Sequence, residues 1–379
     1  MVNMSKKLVF VINVDWYFRL HWLERASYFK SLGYSVHIIT NFLDASIKNE
    51  LTAMGFTCHQ FSVKRKSLNL FREFTGIWHL KCLLKMIKPD LIHCVTIKPN
   101  IYTGFINRFF IKKPIIYSIT GLGAVFSSSS LKFVILRRLI IALYKTISVH
   151  HSKFIFENSE DCSLFQNVGI IKNSNSIVIK GAGIDLKRFA SSHLPSDKSV
   201  LFAARLLKDK GLHCLIEAKK ILVKRGCDFT LNVAGIIDSD VSSAISICQI
   251  EMWAKNGDIN WLGNIKDMPN LIKQNDIVCL PTTYGEGVPR ILIEAASCQR
   301  PIVTTDVAGC REIVSHGFNG LLAAPNDSAS LANCLQELLE SKEKRREFGV
   351  NGRQKVEAEF SQEMVFEKTL QVYDELLLV

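Results

Sequence analysis

The sequence predicts an α/β protein made of two Rossmann-like, doubly wound domains that face each other across a cleft. Three observations predict it. At 379 residues the chain exceeds one typical core, so two domains are expected. Short apolar runs bounded by Pro, Gly or polar residues alternate with helical stretches in two successive series, the pattern of parallel strands covered by helices on both faces. Between the series, "RFASSHLPSDKS", residues 188–199, gathers Ser, Pro and charge, the composition of a linker. The expected domains are therefore residues 1–188 and 189–379, with a last helix, about 361–379, packing back on the first domain.

The elements follow in chain order. "KLVFVINV" is the first buried strand, since its apolar run has no small-residue cleavage site and breaks at Asp15, unlike a signal peptide. Trp22 to Leu32 reads as a helix ending at Gly33. "SVHIIT", "PDLIHCV" and "KPIIYSIT" are the next strands. "LKFVILRRLIIALYKTISV", Leu131 to Val149, is apolar but cut by Arg137, Arg138 and Lys145, so it does not read as a spanning helix. Two readings stay open for it: a core helix, or a basic amphipathic helix on a membrane surface. A strand follows His150-His151. The second series runs "KSVLFAARLL", "FTLNVAG", "INWLG", "DIVCLP" and "PIVTTD".

The net charge of +12 is unevenly placed. Residues 1–190 hold 26 Lys/Arg against 10 Asp/Glu, and the remainder 21 against 25. A basic half suggests an anionic partner for that half: nucleic acid, anionic lipid or a phosphorylated substrate. No zinc-finger spacing, recognition-motif aromatics or cationic tail supports nucleic acid. The eleven cysteines are dispersed without a CxxC, which reads as reduced thiols in a cytoplasmic protein.

The chemistry concentrates in "TTYGEGVPRILIEAASCQRPIVTTDVAGCREIV", Thr282 to Val314. Glu286 sits between Gly285 and Gly287 in the loop after a strand, where open sheets bind ligands. The glycines permit close backbone approach, and Val288 and Pro289 begin a helix whose free N–H groups favour an anion. Glu294 stands two turns deeper, on the helix Arg290 to Ser297. A nucleotide sugar would find Glu286 at its sugar and Glu294 at its ribose hydroxyls; the plainer alternative is a solvated loop Glu and a helix-face Glu. Arg205, directly after the first strand of the second domain, and Lys210 would stabilise the charge that a diphosphate gains as it leaves. Gly235 and Gly263, closing "FTLNVAG" and "INWLG", are counted with the donor-binding positions.

Together these residues resemble glycosyltransferase family 4, retaining enzymes of the GT-B fold, over nearly the whole chain. Glu286 and Glu294 match the family's two glutamates separated by seven residues, and Arg205 and Lys210 its diphosphate pair. "GAGIDLKRF", "VTTDVAGCREIV" and "NGLLAAPND" look like family segments. "INVDWYFRLHWLERA", "VTIKPNIYTG" and "SITGLGAVF" are similar to a bacterial subgroup that transfers sugars, often N-acetylgalactosamine, onto undecaprenyl-diphosphate-linked glycans. The resemblance implies a UDP-sugar donor on the second domain. It implies a polyprenyl-diphosphate-linked acceptor on the first, which faces an anionic membrane surface at the cytoplasmic side of the inner membrane. Asp15 and His21 would lie near the acceptor, Thr120, Gly121 and Gly123 in a facing loop, and Lys98 at the acceptor diphosphate. The family's frequent His is missing between Ser118 and Gly121, so its role does not carry over; His21 is the substitute considered.

No metal is expected. Asp238–Asp240 spells the DxD of the other glycosyltransferase fold, but reads better as a solvated helix-capping loop. His150-His151 lacks ligand neighbours. A nucleotide-sugar epimerase of the same fold and a non-catalytic peripheral membrane protein are the alternatives. The first would isomerise donor without acceptor; the second leaves the glutamate and Arg–Lys pairs unexplained.

Overall fold

The computed structural model describes residues 5–61, 70–127, 130–149, 151–195, 198–237, 243–283 and 285–378. The chain divides into two compact units, Met1–Ala182 with Val365–Val379, and Gly183–Met364.

The first unit holds a seven-stranded sheet in the order β3-β2-β1-β4-β5-β6-β7, every neighbouring pair parallel. Its strands are β1 (Lys7–Val14), β2 (Ser35–Asn41), β3 (Thr57–Gln60), β4 (Leu91–Val95), β5 (Ile115–Ile119), β6 (Ser152–Phe156) and β7 (Ser176–Val178). The reason "KLVFVINV" is apolar at nearly every position is visible in its two faces. Val9 and Val11 enter one core with Ile92, Cys94 and Tyr117; Leu8, Phe10 and Ile12 enter another with Leu91, Val95 and Ile116. A strand buried on both sides needs no polar alternation. The second core is completed by Val365, Phe366, Val372, Tyr373 and Leu376 of the helix Gln362–Leu377.

The second unit holds a six-stranded parallel sheet, β10-β9-β8-β11-β12-β13. These are β8 (Ser199–Ala203), β9 (Thr230–Ala234), β10 (Asn260–Gly263), β11 (Ile277–Leu280), β12 (Ile302–Thr305) and β13 (Gly320–Ala323). Each fully buried Val, Ile, Leu or Phe contributes about 1.5–3 kcal/mol, whereas an exposed ion pair contributes about 0–1. The apolar strands therefore dominate the stability of both sheets.

One expectation changes. The stretch 188–199 is not a bare linker but part of the second unit: Phe189 is buried in its core, and Arg300, fully buried, donates to the carbonyls of Ser192 and His193 at 3.0 and 2.8 Å. The helix expected over Trp22–Leu32 is present as Leu23–Ser31, and a further short helix, Asp15–His21, precedes it. Trp22 leaves helical geometry between them, and its ring packs on Phe10 and His93. The helix Leu131–Ile147 divides its faces: Ile140, Tyr144 and Ile147 are buried, while Leu131, Ile135 and Leu139 lie in solvent. Strands β3 and β7, short and at the sheet edges, carry no apolar run that would reveal them. Among the described residues no helix is long and apolar enough to cross a membrane.

Candidate functional site

In the second unit the strand order reverses between β8 and β11. The loops leaving two such strands diverge, which opens a place for a ligand at their carboxyl ends. Arg205 stands half-buried two residues past β8, and Lys210 ends the 3-10 turn Lys208–Lys210. Gly211 follows at φ +81°, so close to the β11 loop that an added Cβ would stand 1.9 Å from the Pro281 carbonyl oxygen. Glycine alone fits that turn. The Thr283 amide donates to the Asp209 carbonyl at 2.9 Å, and the Thr283 hydroxyl reaches the same oxygen at 3.2 Å. The two loops thus form one platform.

On that platform Lys210 Nζ donates directly to Glu286 Oε2, with the lysine side chain 9% exposed and the glutamate 19%. The other carboxylate oxygen accepts from Thr282 Oγ1 at 2.8 Å. The helix after β12, Ala308–Ile313, presses on the same backbone: a Cβ at Gly309 would lie 1.4 Å from the Gly287 carbonyl oxygen. Glu286 is therefore held from three sides, in side chain and in backbone.

Glu294 is 6% exposed on the helix Arg290–Ser297, whose start is capped by Pro289 after buried Val288. Arg290 Nε donates to Glu294 Oε1 at 2.8 Å. Burial pushes the Glu294 carboxyl above its ordinary range; Arg290, and beyond it Arg188, pull it back down. Gly235 is held in two ways. Its amide donates to the Gly263 carbonyl at 2.8 Å, and a Cβ there would stand 1.9 Å from the Ala204 carbonyl oxygen. The structure thus brings Lys210 to Glu286 and Gly235 to Gly263, and gives Glu294 an arginine partner.

In the first unit the reversal lies between β1 and β4. Asn13 Nδ2 donates to Thr96 Oγ1 there at 2.7 Å, and Thr96 takes φ +75°, a costly conformation for a β-branched residue. The predicted acceptor residues fall into two groups. Thr120 and Gly121 (φ +109°) follow β5, and Gly123 (φ +60°) begins the helix Gly123–Ser127. Asp15 and Lys98 are committed to internal partners. Asp15, 1% exposed, accepts from the amides of Leu43 and Asp44 at 2.7 and 2.8 Å and from that of Trp16 at 2.8 Å, so its carboxylate tethers loops. Lys98 pairs with Glu73 at 3.0 Å. His21 packs on Tyr17 with the rings tilted by 36° and their centres 4.5 Å apart.

The sequence reading did not single out His93. It is fully buried on β4, with Nε2 2.7 Å from Ser118 Oγ and Nδ1 2.6 Å from the Tyr373 hydroxyl. Burial holds it neutral, well below the usual imidazole range, so it joins β4, β5 and the last helix as a core residue. Thr282, Arg290 and Gly309 were also missed as contributors. Arg290 had a signal: it lies four residues before Glu294, the spacing of a helical ion pair. Among the described residues no group of three or more His, Cys, Asp or Glu could hold a metal ion; Asp238–Asp240 and His150 lie outside them.

The β8 and β11 loops hold Lys210 against Glu286, with Arg205 on the first loop and the Arg290–Glu294 pair on the helix after the second, a set suited to an anionic ligand rich in hydroxyls. Comparison with known proteins identifies the family. A family model described as Glycosyl transferases group 1 matches residues 184–355, and one described as Glycosyl transferase 4-like matches residues 7–158. The chain is similar to N,N'-diacetylbacillosaminyl-diphospho-undecaprenol alpha-1,3-N-acetylgalactosaminyltransferase of Campylobacter jejuni, with 27% identity over 86% of this chain and 88% of that one. It is equally similar, at 27%, to the capsular polysaccharide biosynthesis glycosyltransferase CapM of Staphylococcus aureus, over 81% of this chain and 83% of that one. Among solved structures, a glycosyltransferase from Rickettsia africae superposes with a TM-score of 0.78 at 19% identity, covering 99% of both chains. Anabaena HepE, solved with UDP and glucose, superposes with a TM-score of 0.78 at 18% identity, covering 98% of this chain and all of that one. With one model on each unit and two parallel α/β sheets of the GT-B-like kind, the chain belongs to the group 1 glycosyltransferases of family 4.

Proposed function

We propose that the protein is a retaining enzyme that moves a hexose or N-acetylhexosamine from a UDP-sugar to a lipid-diphosphate-linked glycan in bacterial surface polysaccharide assembly. It would work at the cytoplasmic face of the inner membrane. The observation that carries the donor half is the Lys210–Glu286 pair on the joined β8 and β11 loops. An arriving diphosphate offers Lys210 more negative charge than one carboxylate does. Lys210 and Arg205 then turn to the phosphates, and Glu286 is released to accept hydrogen bonds from the donor sugar. Glu294 accepts from the ribose hydroxyls. The UDP in Anabaena HepE and the acceptor named for the Campylobacter relative support this choice of substrates.

The reaction breaks the bond from the anomeric carbon to the diphosphate oxygen and forms one to the acceptor hydroxyl on the same face. The hydroxyl proton passes to the departing phosphate oxygen. Charge grows on the diphosphate while the sugar gains oxocarbenium character. Fixed cations at Lys210 and Arg205 stabilise that charge more in the transition state than in the bound donor. No metal takes part in this scheme, so turnover should survive a chelator.

The test is a donor screen with a synthetic polyprenyl-diphosphate sugar, read by mass spectrometry. Free UDP together with a glycolipid one sugar longer is expected; an isomerised donor without transfer would make the chain an epimerase. In the same assay Glu286→Gln should lower turnover more than donor affinity. Wild-type kinetics in that variant would remove Glu286 from the site.

A further inference from the structure

The surface of the first unit carries a feature that the transfer chemistry does not use. Phe74 and Trp78 stand one turn apart on the helix Leu70–Ile87, 70% and 56% exposed. Phe109 and Phe110 are 56% and 53% exposed on the π-helical turn Asn107–Ile111. Lys81 joins the two elements: its Nζ lies 4.7 Å from the centre of the Trp78 ring and 3.6 Å from that of Phe110. These are one face, not scattered side chains.

The backbone keeps that face in place. Phe109 and Phe110 sit on a π-turn, and such turns gather at functional positions. The turn ends at Lys112 in the left-handed region, φ +55°. The buried Asn107 side chain clamps the exit, donating to the Lys113 carbonyl at 2.8 Å and accepting from its amide at 3.0 Å. Arg108 donates to the Thr146 carbonyl, which fastens the turn to the helix Leu131–Ile147.

Charge says what the face meets. Residues 70–149 contain twelve Lys/Arg and only two carboxylates, Glu73 and Asp90. Glu73 is occupied by Lys98 and Tyr102, and Asp90 by the Lys7 amide at 2.8 Å. Lys85, Arg108, Lys112 and Lys113 are exposed. A second copy would bring the same cations against themselves in a two-fold contact. An anionic bilayer complements them, and aromatic rings amid lysines suit its headgroup layer.

We infer that Phe74, Trp78, Phe109 and Phe110 enter the headgroup layer of an anionic membrane while Lys81 and Lys112 meet its phosphates. This rests on the proposed membrane setting but not on the transfer chemistry.

The test uses the full chain and vesicles of phosphatidylglycerol with phosphatidylcholine, or phosphatidylcholine alone. Sedimentation should show binding to the first, weakening with salt, and little to the second. Phe109→Ser/Phe110→Ser should lower affinity tenfold or more. Lys112→Gln/Lys113→Gln should lower it by up to about 25-fold at low salt, about fivefold for each cation in contact. Brominated lipid should quench the parent's tryptophan fluorescence more than that of Trp78→Phe. Parent-like binding by both double variants overturns the inference. So does a dimer in solution that Phe109→Ser/Phe110→Ser dissociates. Glu286→Gln should bind vesicles like the parent. Vesicle binding without any sugar transfer would therefore leave this inference standing and end the transferase reading, and transfer without vesicle binding the reverse.

Discussion

The two units arrange their first six strands in the same order, yet they use the carboxyl ends of those strands differently. In the second unit, the ends of β8 and β11 present paired charges: Lys210 on Glu286, with Arg290 on Glu294 just behind. At the matching ends of β1 and β4, the first unit presents Asn13 bonded to Thr96 and an Asp15 turned inward to three amides. Near these ends Lys98 pairs with Glu73, three residues past β4, and the exposed Lys85, Arg108, Lys112 and Lys113 lie on other elements. The same topology creates a concave position in both sheets, but side chains decide whether that position holds exchangeable charge or a fixed hydrogen-bond frame.

The sharpest way to break this comparison is at Lys210. Lys210→Met should reduce turnover by about 10²–10³-fold, the range seen when one fixed donor to developing charge is removed. It should also destabilise the second unit, because the partly buried Glu286 loses the lysine that offsets its charge. Adding Glu286→Gln should restore thermal stability without restoring activity. If the double variant stays as unstable as the single one, the pair does not organise the platform. If Lys210→Met turns over normally, the charge at β8 is ornamental.

A smaller effect is expected at the second pair. Glu294→Gln should weaken UDP binding by about 1.5–3 kcal/mol, the loss of a charged acceptor. Arg290→Met keeps the acceptor but removes the cation that offsets its burial, so the Glu294 carboxyl should titrate at higher pH than in the parent. UDP affinity measured by calorimetry should then fall on acidification at pH values where the parent is still flat, and Arg290→Lys should recover most of the parent profile. Identical pH profiles for parent and Arg290→Met would show that Arg290 does not control the protonation of Glu294.

The smallest effect distinguishes the units by acid. The first unit holds His37, His59 and His93 with depressed pKa values; burial lowers His37 to about 4, helped by His59 and Lys7. His37 and His59 stack across β2 and β3 with a nitrogen–nitrogen contact of 3.1 Å, and Ser35 Oγ lies 3.4 Å from His37 Nε2. An unfolded histidine takes its proton near pH 6.5, above the folded His37 value. The stability gained by keeping it neutral is complete above that pH and is lost as pH falls toward about 4. Hydrogen exchange should therefore quicken in β2 and β3 between pH 7 and pH 5, once corrected for intrinsic rates, and His37→Gln should flatten that change. Equal acid response in peptides from β8 and β11 would erase the distinction.

The sequence alone determined the elements whose physics is local. "KLVFVINV" and "DIVCLP" announce strands buried on both faces because nearly every position is apolar, and glycines beside Glu286 announce a close backbone approach. The spacing of Glu286 and Glu294, and of Arg205 and Lys210, likewise survives without a structure. Edge strands did not: β3, "TCHQ", buries too little to need an apolar pattern. Nor did the unit boundary, since Phe189 and the carbonyls of Ser192 and His193 look like linker until Arg300 and the core close around them. Partners were the largest gap. Lys210 and Glu286 are 76 residues apart, His93 and Tyr373 are 280 apart, and Asp15 meets amides nearly 30 residues away. Which charge faces which is set by where the loops of separate strands converge. That convergence follows from the packing of the whole sheet, which one-dimensional spacing does not contain.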